Sequence, residues 1–371
     1  MRECINDETP LEIIIRAEIN DTGFVSVERY MSLCLSHPEH GFYMKDDVLG
    51  KDGSFTTAPE ICQVFGELIG VWLVQVWQDT LSAKPFVLLE AGPGRGTLMA
   101  DALRVASRIC PDFIKFCSLY LLEINPEFRF IQSTVLRQYN PVWIENVHEL
   151  PNKAMLVVAN EFFDSLPVGA FILQEGVWQE LCVVAHRDSM DLAFSSRSID
   201  DSAQELFDDP VLWNKHLCRE LPEGAIYEVC FSGRQLAGAL TEHFHKYGGQ
   251  MLVIDYGYDA AMRDAAGWRG TLQAVNRHQF VDALCQPGVN DLTAHVDFDA
   301  LRWVVNQHKG HAFPLETQGD FLGNLGVYQR VEQLCHANSE KSGSLALALR
   351  RLVHPSAMGA LFRVFIASAA A

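Results

Sequence analysis

Phe86-Val87-Leu88-Leu89-Glu90-Ala91-Gly92-Pro93-Gly94-Arg95-Gly96-Thr97 joins an apolar run to three glycines at alternate positions. Four consecutive apolar residues ending at a carboxylate predict a buried strand. The glycines predict a turn tight enough for the backbone to approach a ligand, and Thr97 opens a helix over 97–108. The spacing does not match the dinucleotide fingerprint Gly-x-Gly-x-x-Gly, because the third glycine comes one residue early and Thr97 stands in its place. Taken alone, the loop specifies a nucleotide-like ligand at the end of a strand.

The same alternation continues outward. Apolar runs at 119–122 and 155–158 read as strands, with a helix over 127–139 between them, and further strands are expected at 171–173, 181–185, 225–229, 251–254 and 362–367. Unbroken apolar strands separated by amphipathic helices predict a parallel sheet covered on both faces. Toward the N-terminus, apolar residues at three- and four-residue steps predict a helical hairpin over 11–36, interrupted at Asp21-Thr22-Gly23. A Gly/Asp-rich loop follows over 37–58, and Pro59 sits where a helix reaching about residue 80 would begin. The region 188–221 has no clear period. The expected fold is therefore α/β, a Rossmann-like sheet with helices on both faces, an N-terminal helical extension over 1–82, and a main domain over 83–371 carrying an inserted α+β region at about 171–250.

Bulk properties exclude several classes of function. A net charge of −18 would make the phosphate term of nucleic-acid binding repulsive, so no nucleic-acid partner is expected. The longest apolar stretch, 64–77, is interrupted by Glu67 and Gln75 and reads as a buried helix and not a membrane span. Ten scattered cysteines without a Cys-x-x-Cys pair read as reduced core thiols. His308 and His311 lack a neighbouring acid, so no metal site is expected, and His278 and His295 read as structural. Glu3, Asp7, Glu8, Glu12 and Glu18 outnumber Arg2 and Arg16, the wrong charge for a leader. A cytoplasmic location follows, or the mitochondrial matrix if a leader was removed.

A second constellation, Asn160-Glu161-Phe162-Phe163-Asp164-Ser165-Leu166-Pro167, directly follows the strand at 155–158. In open α/β sheets ligands bind beyond the carboxyl ends of the strands, so this loop should face the same crevice as the glycines. Glu161 and Asp164, three apart, would share a face if the segment makes a helical turn. Two carboxylates with two aromatic rings suit a planar cation such as guanidinium. The competing reading has Glu161 capping the next helix while Phe162 and Phe163 fill the core.

Further blocks are His37-Pro38-Glu39-His40-Gly41-Phe42-Tyr43, Gly53-Ser54-Phe55-Thr56-Thr57-Ala58-Pro59-Glu60-Ile61, Phe65-Gly66-Glu67-Leu68-Ile69-Gly70, Ile254-Asp255-Tyr256-Gly257-Tyr258, Gly270-Thr271-Leu272, Asp291-Leu292-Thr293-Ala294-His295-Val296-Asp297-Phe298 and Thr317-Gln318-Gly319. In this order, over nearly the whole chain, they resemble the MidA family of class I methyltransferases, which includes the mitochondrial arginine methyltransferase required for respiratory complex I assembly. Ala91, where the family more often has a larger aliphatic residue, and Gly169, in place of a bulkier polar one, depart from the pattern.

The resemblance implies an S-adenosyl-L-methionine cofactor. Glu90, Gly92, Gly94 and Gly96 would form the methionine-side loop with Thr97 and Asn160 beside it, Glu123 would bind the ribose, and Glu145 the adenine. Thr57, Pro59 and Glu60 would close over the cofactor. Glu161, supported by Asp164 and Asp255, would orient an acceptor guanidinium on a protein, with a respiratory complex I subunit as the implied partner. Two alternatives are a small-molecule methyltransferase on the same fold and a non-catalytic cofactor-binding assembly factor. An NAD dehydrogenase is the distant competitor. The oligomeric state is not legible.

Overall fold

Side chains of each central strand alternate between two apolar layers, which is why the runs carry no polar period. Phe86, Leu88, Leu156, Val158, Leu252 and Ile254 pack into one layer. Val87, Leu89, Val157, Met251 and Val253 pack into the other. The computed structural model describes residues 8–45, 57–186, 191–199 and 221–370. The loop at 46–56 with its Gly53-Ser54-Phe55-Thr56 motif, and most of the 188–221 insertion, lie outside the described residues.

The main sheet contains β1 (Phe86–Ala91), β2 (Cys117–Leu122), β3 (Val142–Ile144), β4 (Met155–Asn160), β5 (Gly249–Tyr258), β6 (Gly310–Ala312) and β7 (Phe362–Ala369). Their order is β3-β2-β1-β4-β5-β7-β6. The first five are parallel, and β7 runs antiparallel to both β5 and β6. Helices Gln63–Thr80 and Thr97–Ile109 cover one face. Helices Phe231–Tyr247 and Phe298–Gln307 cover the other. The order reverses between β1 and β4, so a crevice opens beyond their carboxyl ends.

Between β4 and β5 the chain leaves this sheet. Strands Gly169–Gln174, Val177–Ala185, Leu192–Ser198 and Ile226–Val229 form a separate antiparallel sheet, which the short strand Val25–Ser26 joins. That pairing ties the N-terminal hairpin, helices Pro10–Thr22 and Val27–Ser36, to the insertion. Strand Leu192–Ser198 falls where the sequence shows no period; its residues are half-buried or exposed, so no face carries an apolar signal.

One predicted helix is two. The stretch from Pro59 to residue 80 breaks at Cys62, whose φ of −161° and ψ of 132° are extended, leaving a short helix Ala58–Ile61 before Gln63–Thr80. No described helix is long and apolar enough to cross a membrane, and the 64–77 run lies in the buried helix Gln63–Thr80.

Helix Gln63–Thr80 approaches helix Thr97–Ile109 through glycine. A Cβ on Gly70 would lie 2.4 Å from the Ala102 carbonyl oxygen. One turn away, the buried Glu67 accepts from Arg104 at 3.1 Å and from Arg330 at 2.6 Å, joining these two helices to helix Val327–Ala337. Gly70→Val should force the helices apart and lower stability to urea by about 2 kcal/mol or more. An unchanged midpoint would show that this contact is not tight in solution.

Candidate active site

Beyond the ends of β1, β2 and β4 lies a cleft of about 640 Å³, within the range of roughly 300–1,000 Å³ for small-molecule sites. The glycine loop forms its floor with positive φ at Gly92, Gly94 and Gly96. A Cβ on Gly92 would lie 2.7 Å from the Phe162 ring, so this position tolerates only glycine on steric grounds. Gln132 braces the loop: its side-chain amide donates to the Gly94 carbonyl at 2.6 Å and to Glu123 at 3.2 Å. Glu123 also accepts from the Asn125 N–H at 2.8 Å. Glu90 is 3% exposed, and one of its carboxylate oxygens has no partner among the described residues. Burial, and then the nearby Glu123, push its carboxyl up to about 8.

The turn after β4 has an unusual backbone. Glu161 adopts φ +51°, the left-handed region, so it does not share a helical face with Asp164, which sits in the 3₁₀ turn Phe163–Ser165. The Glu161 carboxylate instead accepts from the Ala58 N–H at 3.0 Å and the Asn160 amide at 3.2 Å. It therefore caps a helix, but the short Ala58–Ile61 helix of the N-terminal segment and not the next one in sequence. The Thr97 hydroxyl donates to Glu60 of that helix. Two hydrogen bonds thus pin the N-terminal segment across the cleft.

Burial is the main cause of raised carboxyl values at Glu161, which reaches about 7 with Asp164 adding to it. Burial also raises Asp164, while the Tyr256 hydroxyl and the Ser165 backbone oppose the rise. Among the described residues, one Asp164 oxygen is buried without a partner, as is the Asn160 side-chain carbonyl. Phe163 is in the core and Phe162 lines the cleft.

Most of the sequence-predicted residues meet here. Thr57, Glu60, Glu90, Gly92, Gly94, Thr97, Glu123, Glu145, Asn160, Glu161 and Asp164 all line the cleft. Glu145 stands at its exposed rim, paired with Arg129 at 3.1 Å. Gly96 does not line it and forms the cap of helix Thr97–Ile109. Asp255 does not line it either. Fully buried beneath the turn, Asp255 accepts the N–H groups of Phe162, Phe163 and Asp164 on one oxygen, at 3.2, 3.0 and 3.2 Å, and that of Tyr256 on the other at 3.0 Å.

Several lining residues escaped the sequence reading. Tyr43, Tyr256, Asp291 and Thr293 belong to quoted blocks, so the blocks were the available signal; Arg351 carried none. His295, expected to be structural, lines the cleft, with its ring edge-on to Tyr256 at 5.3 Å. Burial lowers its pKa.

A family model described as "Putative S-adenosyl-L-methionine-dependent methyltransferase" matches residues 68–316. The chain belongs to this family. The mitochondrial protein arginine methyltransferase NDUFAF7 homolog of Drosophila melanogaster is 33% identical to it, over 94% of this chain and 82% of the relative. The mouse protein arginine methyltransferase NDUFAF7, also mitochondrial, is 32% identical over 97% of this chain and 84% of its own. A likely methyl transferase from Burkholderia thailandensis, solved with S-adenosyl-homocysteine, shares the fold with a TM-score of 0.82 at 24% identity, covering 96% of this chain and 91% of that one. The fold and the cofactor class expected from the sequence are thereby met.

The methyltransferase's cleft fits S-adenosylmethionine on its own chemistry. The cofactor carries a positive sulfonium together with an amine and ribose hydroxyls that donate, and the oxygens of Glu90 and Asn160 that have no partner among the described residues are buried acceptors for such donors.

Asp255 has a structural consequence that can be measured separately. Asp255→Ala leaves three adjacent buried N–H groups unsatisfied and should cost about 2 kcal/mol or more in chemical denaturation. Asp255→Asn, which keeps one acceptor oxygen, should lose less. Equal stability of Asp255→Ala and the parent would mean that the turn holds itself.

Proposed function

We propose that this methyltransferase modifies the arginine side chain of a protein acceptor. The carrying observation is the half-buried Glu161 and the buried Asp164 beside the Phe162 ring, with an Asp164 oxygen that has no partner among the described residues at the cleft wall. A guanidinium supplies coplanar N–H donors for two carboxylates and a flat face for an aromatic ring. The names of the relatives, matched along nearly the whole chain, support the same acceptor.

In this reading Glu90, Asn160 and Glu123 hold the cofactor, Glu145 stands at its outer end, and Gly92 to Thr97 give it backbone contact. The segment 1–82 serves as the closing element, with Thr57 and Glu60 over the cofactor, and 83–371 as the methyltransferase domain with its insertion at about 171–250. The Ala58–Glu161 and Glu60–Thr97 bonds support that closing role. When bound, the cofactor supplies a methyl group on a sulfonium, so the guanidinium loses one N–H proton for each methyl it gains. Glu161, with its carboxyl near 7, is a matched base for that proton at neutral pH. Asp164 orients the cation, and Asp255 holds both through the backbone of the turn.

The resemblance to the MidA family directs the search to subunits of respiratory complex I, encountered in the mitochondrial matrix or, for a bacterial chain, the cytoplasm. Labelled S-adenosylmethionine added to a lysate should put its label on arginine of a protein. Label on a small molecule instead would replace the acceptor, and no label would leave a cofactor-binding assembly factor.

Glu161→Gln should abolish transfer while cofactor affinity stays within about three-fold, the pattern of an interaction used in the reaction alone. Retained transfer would remove Glu161 from its role. For the parent enzyme, kcat/KM for the acceptor should fall as pH drops below about 7, where Glu161 takes up a proton before the acceptor arrives. Glu90 titrates at a higher pH. Its carboxyl, near 8, is protonated at pH 7 and should ionise when a cation binds beside it. Calorimetry of cofactor binding in buffers of different ionisation enthalpy should detect proton release at pH 7, reduced in Glu90→Gln. Equal release by both proteins would detach Glu90 from the cofactor.

A further inference from the structure

Asp291 is a buried carboxylate with no assigned role. It opens the short strand Asp291–Thr293, is 5% exposed, and lines the same cleft as Glu161 and Asp164. The Ala294 N–H donates to the Asp164 carbonyl at 2.9 Å, so the segment carrying Asp291 is fastened to the turn carrying Asp164. Among the described residues, the hydrogen bond to its side chain comes from the Tyr43 hydroxyl, at 2.9 Å to one oxygen. Tyr43 is itself fixed from the cofactor side, since its carbonyl accepts from the Asn125 amide and the Asn125 N–H donates to Glu123. One tyrosine thus spans from the β2 end of the cleft to the acceptor end.

Three carboxylates from two separate segments, Glu161 and Asp164 on the turn after β4 and Asp291 on its own short strand, therefore converge on one cleft. Arg351 also lines the cleft, engaged in contacts of its own, and its charge eases Glu161. Burial and the neighbouring Asp164 and Glu161 charges push Asp291 well above the usual carboxylate range. Such a grouping is unfavourable when empty, because buried like charges repel and each has lost its water. The unpartnered Asp164 oxygen, on a side chain 5% exposed, marks where a donor is missing.

We propose that Asp291, held by Tyr43, is a third acceptor-binding carboxylate, and that it makes the site select a guanidinium over an ammonium group. This rests on the arginine reading above. A guanidinium offers five N–H donors in a rigid plane and can meet carboxylates on more than one edge at once. An ammonium is a compact point charge with three donors and leaves part of the wall unpaired. Tyr43 is a positioning residue: its hydroxyl occupies one Asp291 oxygen and fixes the carboxylate at the cleft.

The test uses the full chain, labelled S-adenosylmethionine, and a mixture of nonapeptides with one central arginine and randomised flanks, with the lysine counterpart as competitor. Asp291→Asn should raise the peptide KM by about ten-fold or more, the loss expected for a charge-assisted hydrogen bond. Its kcat and its KM for the cofactor should stay within about three-fold. Lysine peptides should compete poorly against the parent and better against Asp291→Asn, and Asp291→Glu should recover part of the peptide affinity. Tyr43→Phe should raise the peptide KM by a smaller factor while binding S-adenosylhomocysteine as the parent does.

If Asp291→Asn fails to bind S-adenosylhomocysteine, the fold is lost and Tyr43→Phe decides. An unchanged peptide KM in the variant that decides, or a loss shared equally with the cofactor, would overturn the proposal while leaving arginine methylation intact. A parent enzyme that labels lysine peptides but not arginine peptides would overturn both.

Discussion

The acceptor end of this molecule depends on the Asp255 carboxylate, buried where β5 passes beneath the turn after β4. Three successive N–H groups of that turn converge on one of its oxygens. Backbone donors in a buried turn need acceptors, and a single 3₁₀ turn over Phe163–Ser165 does not supply them for its own first N–H groups. The Asp255 side chain on β5 does so, and the sheet, through the parallel β4–β5 pairing, determines where the turn lies. Glu161 can then hold a left-handed conformation that a glutamate would avoid in a free loop. Strain of that kind persists only where surrounding contacts outweigh it.

With the turn held, the rest of the cleft follows from what it touches. Glu161 reaches the first N–H of the Ala58–Ile61 helix, and Glu60 of that helix receives the Thr97 hydroxyl from the helix behind the glycine loop. The break at Cys62 is what allows this. A continuous helix from Pro59 would keep the first turn in line with Gln63–Thr80, whose buried face is committed to the core. The extended residue lets the short helix turn over the cleft on its own.

Electrostatics gives the two ends of the cleft different characters. Glu90 and Glu123 lie at the glycine loop and the end of β2, and Gln132 and Asn125 supply Glu123 with neutral donors. Glu161, Asp164 and Asp291 lie at the other end, where the neighbouring charges raise the carboxyls of Glu161 and Asp291. Both groups are buried deeply enough that their carboxyls sit above the usual range, so each is easier to ionise once a cation is present. The net charge of the chain foreshadowed none of this. It is a property of which carboxylates are buried together.

The amino-acid sequence by itself determined the alternation of strands and helices, the strand carrying Glu90 into its glycine turn, and the placing of Glu161 to Asp164 in a loop at a strand end. These are local matters: apolar runs set by burial on two faces, glycines required by backbone angles, and strand-end chemistry set by chain direction. Tertiary structure alone decided that Glu161 caps a helix more than a hundred residues away in sequence, that Asp255 supports the site from below without lining it, and that Tyr43 and Asp291 meet at the acceptor wall. Each of these joins segments from different parts of the chain. A buried carboxylate's role is set by the donors and charges folding brings beside it, and no periodicity in its own segment records them.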